Sequence, residues 1–204
     1  MHVIEVNNLT KDYGFGRGVF NVDLYVDQGE AFGFLGPNGA GKSTTIRHLM
    51  GFSKPDSGST KIFGKETFDK YYEILGNVGY IPGEIALPAG LTGHAFIKMM
   101  QDLQHCHNKE QLNRMLDLFE LDDTALSGET KRMSLGVKRK LAVVTAFMSD
   151  PDVLILDEPT TYLDISYQME VLELVRRLNR EMGMTIVMVL HDLNMAARYS
   201  DMLY

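Results

Sequence analysis

Gly36-Pro37-Asn38-Gly39-Ala40-Gly41-Lys42-Ser43 follows the apolar run Ala31 to Leu35 and leads into Thr44 to Met50, a stretch able to start a helix. Glycines at this spacing let successive backbone N–H groups converge on an anion, and the helix N-terminus behind them adds partial positive charge. A lysine at the end of such a loop reaches the outer oxygens of a polyphosphate, and the next hydroxyl ligates Mg²⁺. The pattern G-x-x-x-x-G-K-S between a strand and a helix therefore predicts a phosphate cradle made by Gly36, Pro37, Asn38, Gly39, Ala40, Gly41, Lys42, Ser43 and Thr44.

Two further strand ends carry chemistry. Val153-Leu154-Ile155-Leu156-Asp157-Glu158 is an apolar run closing in two carboxylates, and ligands of α/β sheets gather at such carboxyl ends. Asp157 is placed to hold Mg²⁺ or its water, and Glu158, one residue on, to act as general base on a water attacking the γ-phosphate. His191 follows Thr185 to Leu190 and would face the same nucleotide as a γ-phosphate sensor. Tyr13, in Lys11-Asp12-Tyr13-Gly14, reads by spacing alone as core or surface filler.

The elements that must position these groups are short buried strands alternating with helices. Ala31 to Leu35, Val153 to Asp157 and Thr185 to Leu190 are too short for helices and are bounded by Gly, Pro, Asp or His. Ser166 to Met182 spaces Met169, Leu172, Val175, Leu178 and Met182 three or four apart and stops at Gly183, which predicts a crossover helix in a parallel sheet. His2 to Val6, Val19 to Val26 and Lys61 to Phe63 predict an antiparallel edge sheet. After the break at Pro82 to Pro88, Thr92 to Met148 is helical in pattern and reads as an inserted lobe.

Composition narrows the setting. The chain has 204 residues, 45% hydrophobic and 23% charged, which excludes disordered, collagen-like and disulfide-scaffold classes. A formal charge of −7 speaks against a surface built for nucleic acid. The lone Cys106 fits a reducing compartment, Met1 to Thr10 lacks the apolar core of a signal peptide, and no run approaches the ~20 residues of a membrane span. Lys138, Arg139 and Lys140 read as a solvated helix face, and His105-Cys106-His107 as too tightly spaced to converge on one metal ion.

Met133-Ser134-Leu135-Gly136-Val137 stands ahead of the acidic strand at the distance where ABC ATPases carry their signature motif, and essentially the whole chain resembles an ABC transporter nucleotide-binding domain. The resemblance implies an α/β P-loop NTPase fold: a RecA-like parallel sheet with an N-terminal antiparallel β subdomain and an inserted helical subdomain. On that reading residues 1–82 and 150–204 form the ATP-binding core and 83–149 the helical signature subdomain. It implies an ATPase that uses ATP and Mg²⁺, pairs head to tail with a second copy or a homologous subunit, and drives a separate transmembrane permease from the cytoplasmic face of the membrane. It promotes Tyr13 to an adenine-stacking aromatic, assigns Ser134 and Gly136 to the γ-phosphate of the partner copy, and makes Asp164, in Tyr162-Leu163-Asp164, the D-loop residue.

Departures from the family pattern accompany it. Leu135 replaces a common second glycine, and the expected Q-loop glutamine is absent, leaving Gly83 or Glu84, with Glu84 available to Mg²⁺ or its water. Up to about Pro159 the chain resembles ABC-2-type exporter ATPases, whereas Pro159 to Ser166 and Val189 to Asp201 resemble iron-siderophore import ATPases, which implies a join near the acidic strand. Because ABC domains usually run on beyond the equivalent of Tyr204, an exposed sheet edge is expected there. Two rival readings are a soluble ABC protein outside transport, against which the lack of a coiled-coil insertion or tandem ATPase domain speaks, and a domain that binds nucleotide without turning over.

Overall fold

Along the apolar runs successive side chains point to opposite faces, so a strand covered on both sides needs an uninterrupted hydrophobic sequence. The computed structural model describes residues 2–160 and 165–204. Its strands are β1 (His2–Asp12), β2 (Gly18–Asp27), β3 (Ala31–Leu35), β4 (Ser57–Ile62), β5 (Lys65–Glu66), β6 (Val78–Ile81), β7 (Val153–Leu156), β8 (Thr185–Leu190) and β9 (Met202–Leu203). The helices are α1 (Lys42–Leu49), α2 (Tyr71–Ile74), α3 (Gly93–Gln104), α4 (Lys109–Leu118), α5 (Asp123–Ser127), α6 (Leu135–Phe147), α7 (Ile165–Met182) and α8 (Leu193–Tyr199).

Five parallel strands run in the order β6-β7-β8-β3-β9, and a four-stranded antiparallel sheet runs β2-β1-β4-β5. The parallel sheet divides the interior into two cores. Leu154 and Leu156 of β7, with Ile186, Met188 and Leu190 of β8, pack on the side of α3, α4, α6, α7 and α8. Val153, Ile155, Val187 and Val189, one residue out of phase, join Phe32 and Phe34 against α1 and the inner face of the antiparallel sheet. Each such fully buried aliphatic side chain contributes about 1.5–3 kcal/mol.

The expected strands Ala31 to Leu35 and Thr185 to Leu190 form with those bounds, while β7 ends at Leu156, so Asp157 lies just past the strand. β6, like the two-residue β5 and β9, is a strand that the hydrophobic pattern concealed: it is four residues long and contains Gly79, whose added Cβ would come within 2.9 Å of the Ala146 carbonyl. Between β6 and its neighbour β7 the chain carries α3 to α6, so this helical excursion leaves and re-enters the sheet on adjacent strands. β9 lies beside β3 as the outer strand of the described sheet, with Met202 and Leu203 exposed.

Helix starts follow local chemistry. Thr92, Asn108, Asp122, Ser134 and Asp192 each accept a hydrogen bond from the backbone N–H three residues on, opening α3, α4, α5, α6 and α8. Such a cap contributes ~1 kcal/mol. α1 is different: it opens at Gly41, which has no side chain to cap it.

Candidate functional site

The uncapped start of α1 is the floor of the site. Gly39 and Gly41 hold φ values of +87° and +91°, and a Cβ at Gly41 would lie 2.3 Å from Val19 Cγ1, so this turn admits only glycine without a shift of β2. The loop consequently wraps back on itself with its N–H groups and the helix dipole directed to one place. Lys42 is buried, and its Nζ donates to the Gly36 carbonyl at 2.7 Å and the Pro37 carbonyl at 2.9 Å, which keeps the ammonium inside the loop.

β3, β8 and β7 are consecutive in the sheet, so the residues following them share one edge. Ser43 Oγ donates to Asp157 Oδ1 at 2.9 Å, joining residues 114 apart in the chain. Burial pushes the Asp157 carboxyl above the ordinary carboxylate value, with the Glu158 charge acting the same way, while the Ser43 hydrogen bond, Arg47 and Lys42 act against them. This is an under-compensated carboxylate beside a hydroxyl: two hard oxygen donors suited to a small divalent cation, which would hold Asp157 ionised.

Glu158 Oε1 lies 3.1 Å from His191 Nε2, so the second carboxylate and the histidine from β8 face one another across the edge. Glu158 has φ +55°, a left-handed backbone that costs a residue with a Cβ roughly 1–2 kcal/mol. A cleft of about 320 Å³ opens between these groups, lined among others by Tyr13, Arg17, Asn38, Lys42, Ser43 and Glu158.

The residues singled out from the sequence fall into three groups. Tyr13, Asn38, Gly39, Gly41, Lys42, Ser43, Thr44 and Glu158 line the cleft; Asp157 and His191 bond to its walls, Gly36 and Pro37 accept from Lys42 through their carbonyls, and Ala40 is exposed in the same loop. Ser134 and Gly136 are not among the cleft-lining residues; Ser134 is exposed at the start of α6, where its hydroxyl accepts from the Val137 N–H. Glu84 is exposed on the loop after β6, and the structure records no hydrogen bond from it to Ser43 or Asp157, although the adjacent Gly83 packs so closely that a Cβ there would stand 3.0 Å from the Asp157 carbonyl. Asp164 lies outside the described residues.

Two residues were misread or missed. Arg139 is buried, contrary to the expectation of a solvated face: its Nη1 donates to the Glu158 carbonyl at 3.2 Å and to the Pro159 carbonyl. A basic run on a helix gives no sign of which member turns inward; here α6 rotates position 139 toward the edge of β7. Its neighbour Lys140 pairs with Glu170 on α7 at 2.5 Å. Arg17 enters the cleft wall from the turn after Tyr13, and its only sequence signal is the flanking pair Gly16 and Gly18. In the His105-Cys106-His107 run, Cys106 Sγ donates to the Met148 carbonyl at 3.0 Å.

Comparison with known proteins gives a consistent picture. The family described as ABC transporter matches residues 19–161. The chain is 37% identical to the bacitracin transport ATP-binding protein BcrA of Bacillus licheniformis, over 94% of this chain and 62% of that protein. It is 36% identical to the petrobactin import ATP-binding protein FpuC of Bacillus anthracis, over 98% of this chain and 76% of that protein. Both alignments span nearly the whole chain, so neither is confined to a front or rear portion, and a join near the acidic strand is not shown. The fold matches the dimeric structure of MJ0796, a bacterial ABC transporter cassette, with a TM-score of 0.85 and 26% identity over 97% of this chain and 91% of that one. The chain spans 62–65% of the length of BcrA and of two Bacillus subtilis relatives, YcbN and YhcH.

Proposed function

Since the chain belongs to the ABC transporter family of ATP-binding proteins, we propose that it binds ATP in the cleft above α1 and hydrolyses it to drive a separate transmembrane permease. The observation that carries this reading is the meeting, at one edge of the parallel sheet, of the glycine loop, the Ser43–Asp157 hydrogen bond and the Glu158–His191 contact.

The loop amides and the N-terminus of α1 bind the β- and γ-phosphates, and Lys42 exchanges its two carbonyl partners for phosphate oxygens, a stronger charge-assisted bond. Ser43 and Asp157 would hold Mg²⁺, which supplies charge neutralisation on the phosphates when bound. Glu158 accepts the proton of the attacking water. His191 steadies that carboxylate and orients the γ-phosphate. Tyr13 stacks on the adenine; replacing it with Ala is expected to weaken ATP binding about tenfold or more, and with Phe hardly at all, measured by titration with a fluorescent ATP analogue.

Ser134 and Gly136 stand away from their own cleft, which favours a head-to-tail pair in which each α6 N-terminus meets the phosphate of the other copy, or of a homologous subunit. The MJ0796 cassette is dimeric, which supports a second copy as the partner. No helix among the described residues is long and apolar enough to cross a membrane. The likeness to transport ATP-binding proteins supports a separate permease, with this chain peripheral to it on the cytoplasmic side. A groove of about 600 Å³, lined among others by Tyr72, Tyr80, Pro82, Leu87, Phe96 and Met100, is the proposed seat for the permease, because the loop that borders it packs Gly83 against Asp157.

The purified chain is expected to release phosphate from ATP and to stop when the metal is chelated. Failure to bind ATP in the presence of Mg²⁺ would overturn the reading.

A further inference from the structure

Burying a guanidinium is costly, and the buried Arg139 directs Nη1 to the backbone immediately after the acidic strand. It is 3% exposed and donates through Nη1 to the carbonyls of Glu158 and Pro159. Burial lowers its pKa from the ordinary arginine value, and the Glu158 charge opposes that shift. The residue it grips holds φ +55°, a conformation that persists only where surrounding bonds over-determine it. The Glu158 side chain in turn meets His191.

Arg139 sits in the first half of α6, five residues and about 7.5 Å of helical rise from the capping residue Ser134. Leu141, Val144 and Phe147 of α6 are fully buried in the same core as Leu154 and Leu156 of β7, so a shift of α6 against β7 would carry the guanidinium with it.

We propose that Arg139 is a positioning residue: by clamping the Glu158–Pro159 backbone it sets the direction of the Glu158 carboxylate and couples that direction to the position of α6. The inference rests on the proposed ATPase function, in which the start of α6 meets the nucleotide held by a second copy. Each copy then reports the filling of the partner's cleft to its own general base through one side chain, without a contact between the two nucleotides.

The test compares steady-state ATP hydrolysis and nucleotide affinity of the whole chain with those of Arg139→Met and Arg139→Lys, with thermal melting of each. Arg139→Met removes the donors while keeping an apolar stem of similar length. It is expected to lower kcat at least tenfold with the KM for ATP within twofold, and Arg139→Lys, which retains a charged donor, to recover at least threefold of that loss. Where Arg139→Met does not fold, Arg139→Leu takes its place against Arg139→Lys with the same ordering. A folded variant without the donors that keeps the original kcat overturns the proposal, as does a kcat loss matched by an equal loss of ATP affinity, or Arg139→Lys no better than Arg139→Met. A parent chain that does not hydrolyse ATP removes the functional reading itself. A parent that turns over, loses activity on Glu158→Gln and is indifferent to Arg139→Met removes only this inference.

Discussion

Glu158→Gln is expected to lower ATP turnover at least a hundredfold while leaving ATP binding intact and favouring an ATP-bound dimer. General-base catalysis by a positioned carboxylate accounts for about a hundred- to ten-thousandfold in rate, and an amide at the same place cannot take the proton. The substitution preserves shape, and the amide oxygen can still meet His191 Nε2, which stands 3.1 Å from the present carboxylate. It also removes the charge that helps to raise the Asp157 pKa, so Asp157 ionises more readily and its hold on a cation is not weakened. Light scattering in the presence of ATP, alongside phosphate release, reads both halves of the expectation. Full turnover in this variant would exclude Glu158 as the base.

Lys42→Ala has the opposite signature, with ATP binding lost along with turnover. A hydrogen bond to a charged group contributes about 1.5–3 kcal/mol, and Lys42 presents a buried ammonium to the place where the loop amides converge. Its removal is expected to weaken ATP binding by roughly a hundredfold, at about 1.4 kcal/mol per tenfold. The carbonyls it now engages belong to Gly36 and Pro37, which remain accessible to water, so thermal stability is expected to change little. Affinity within threefold of the parent would show that the phosphates bind elsewhere. The pair of variants thus separates binding from chemistry: one protein that holds ATP and does not cleave it, one that never holds it.

Much of this was legible beforehand because the informative features are local. A glycine loop announces its backbone conformation by composition, a short uninterrupted apolar run announces a strand covered on both faces, and two carboxylates at its end announce the edge where a ligand sits. Ala31–Leu35 and Thr185–Leu190 appear in the structure with the expected bounds. β6 was not legible: four residues including a glycine carry no periodicity, and Gly79 is there because the Ala146 carbonyl crosses too close for a side chain. Arg139 was misread for a related reason. Three consecutive basic residues on a helix look alike until the helix is rotated against its neighbours.

By itself, then, the order of residues determined the chemistry available at each strand end: the anion-binding loop, the acidic pair and the histidine, each set by backbone freedom, charge or periodicity within about ten residues. Only the tertiary structure decided which of these meet. Ser43 reaches Asp157 because β8 lies between β3 and β7, and Arg139 reaches Glu158 because α6 packs against β6, the neighbour of β7. Strand order and helix rotation are settled by the burial of two cores at once, one on each face of the sheet, and that is a property of all the packed elements together.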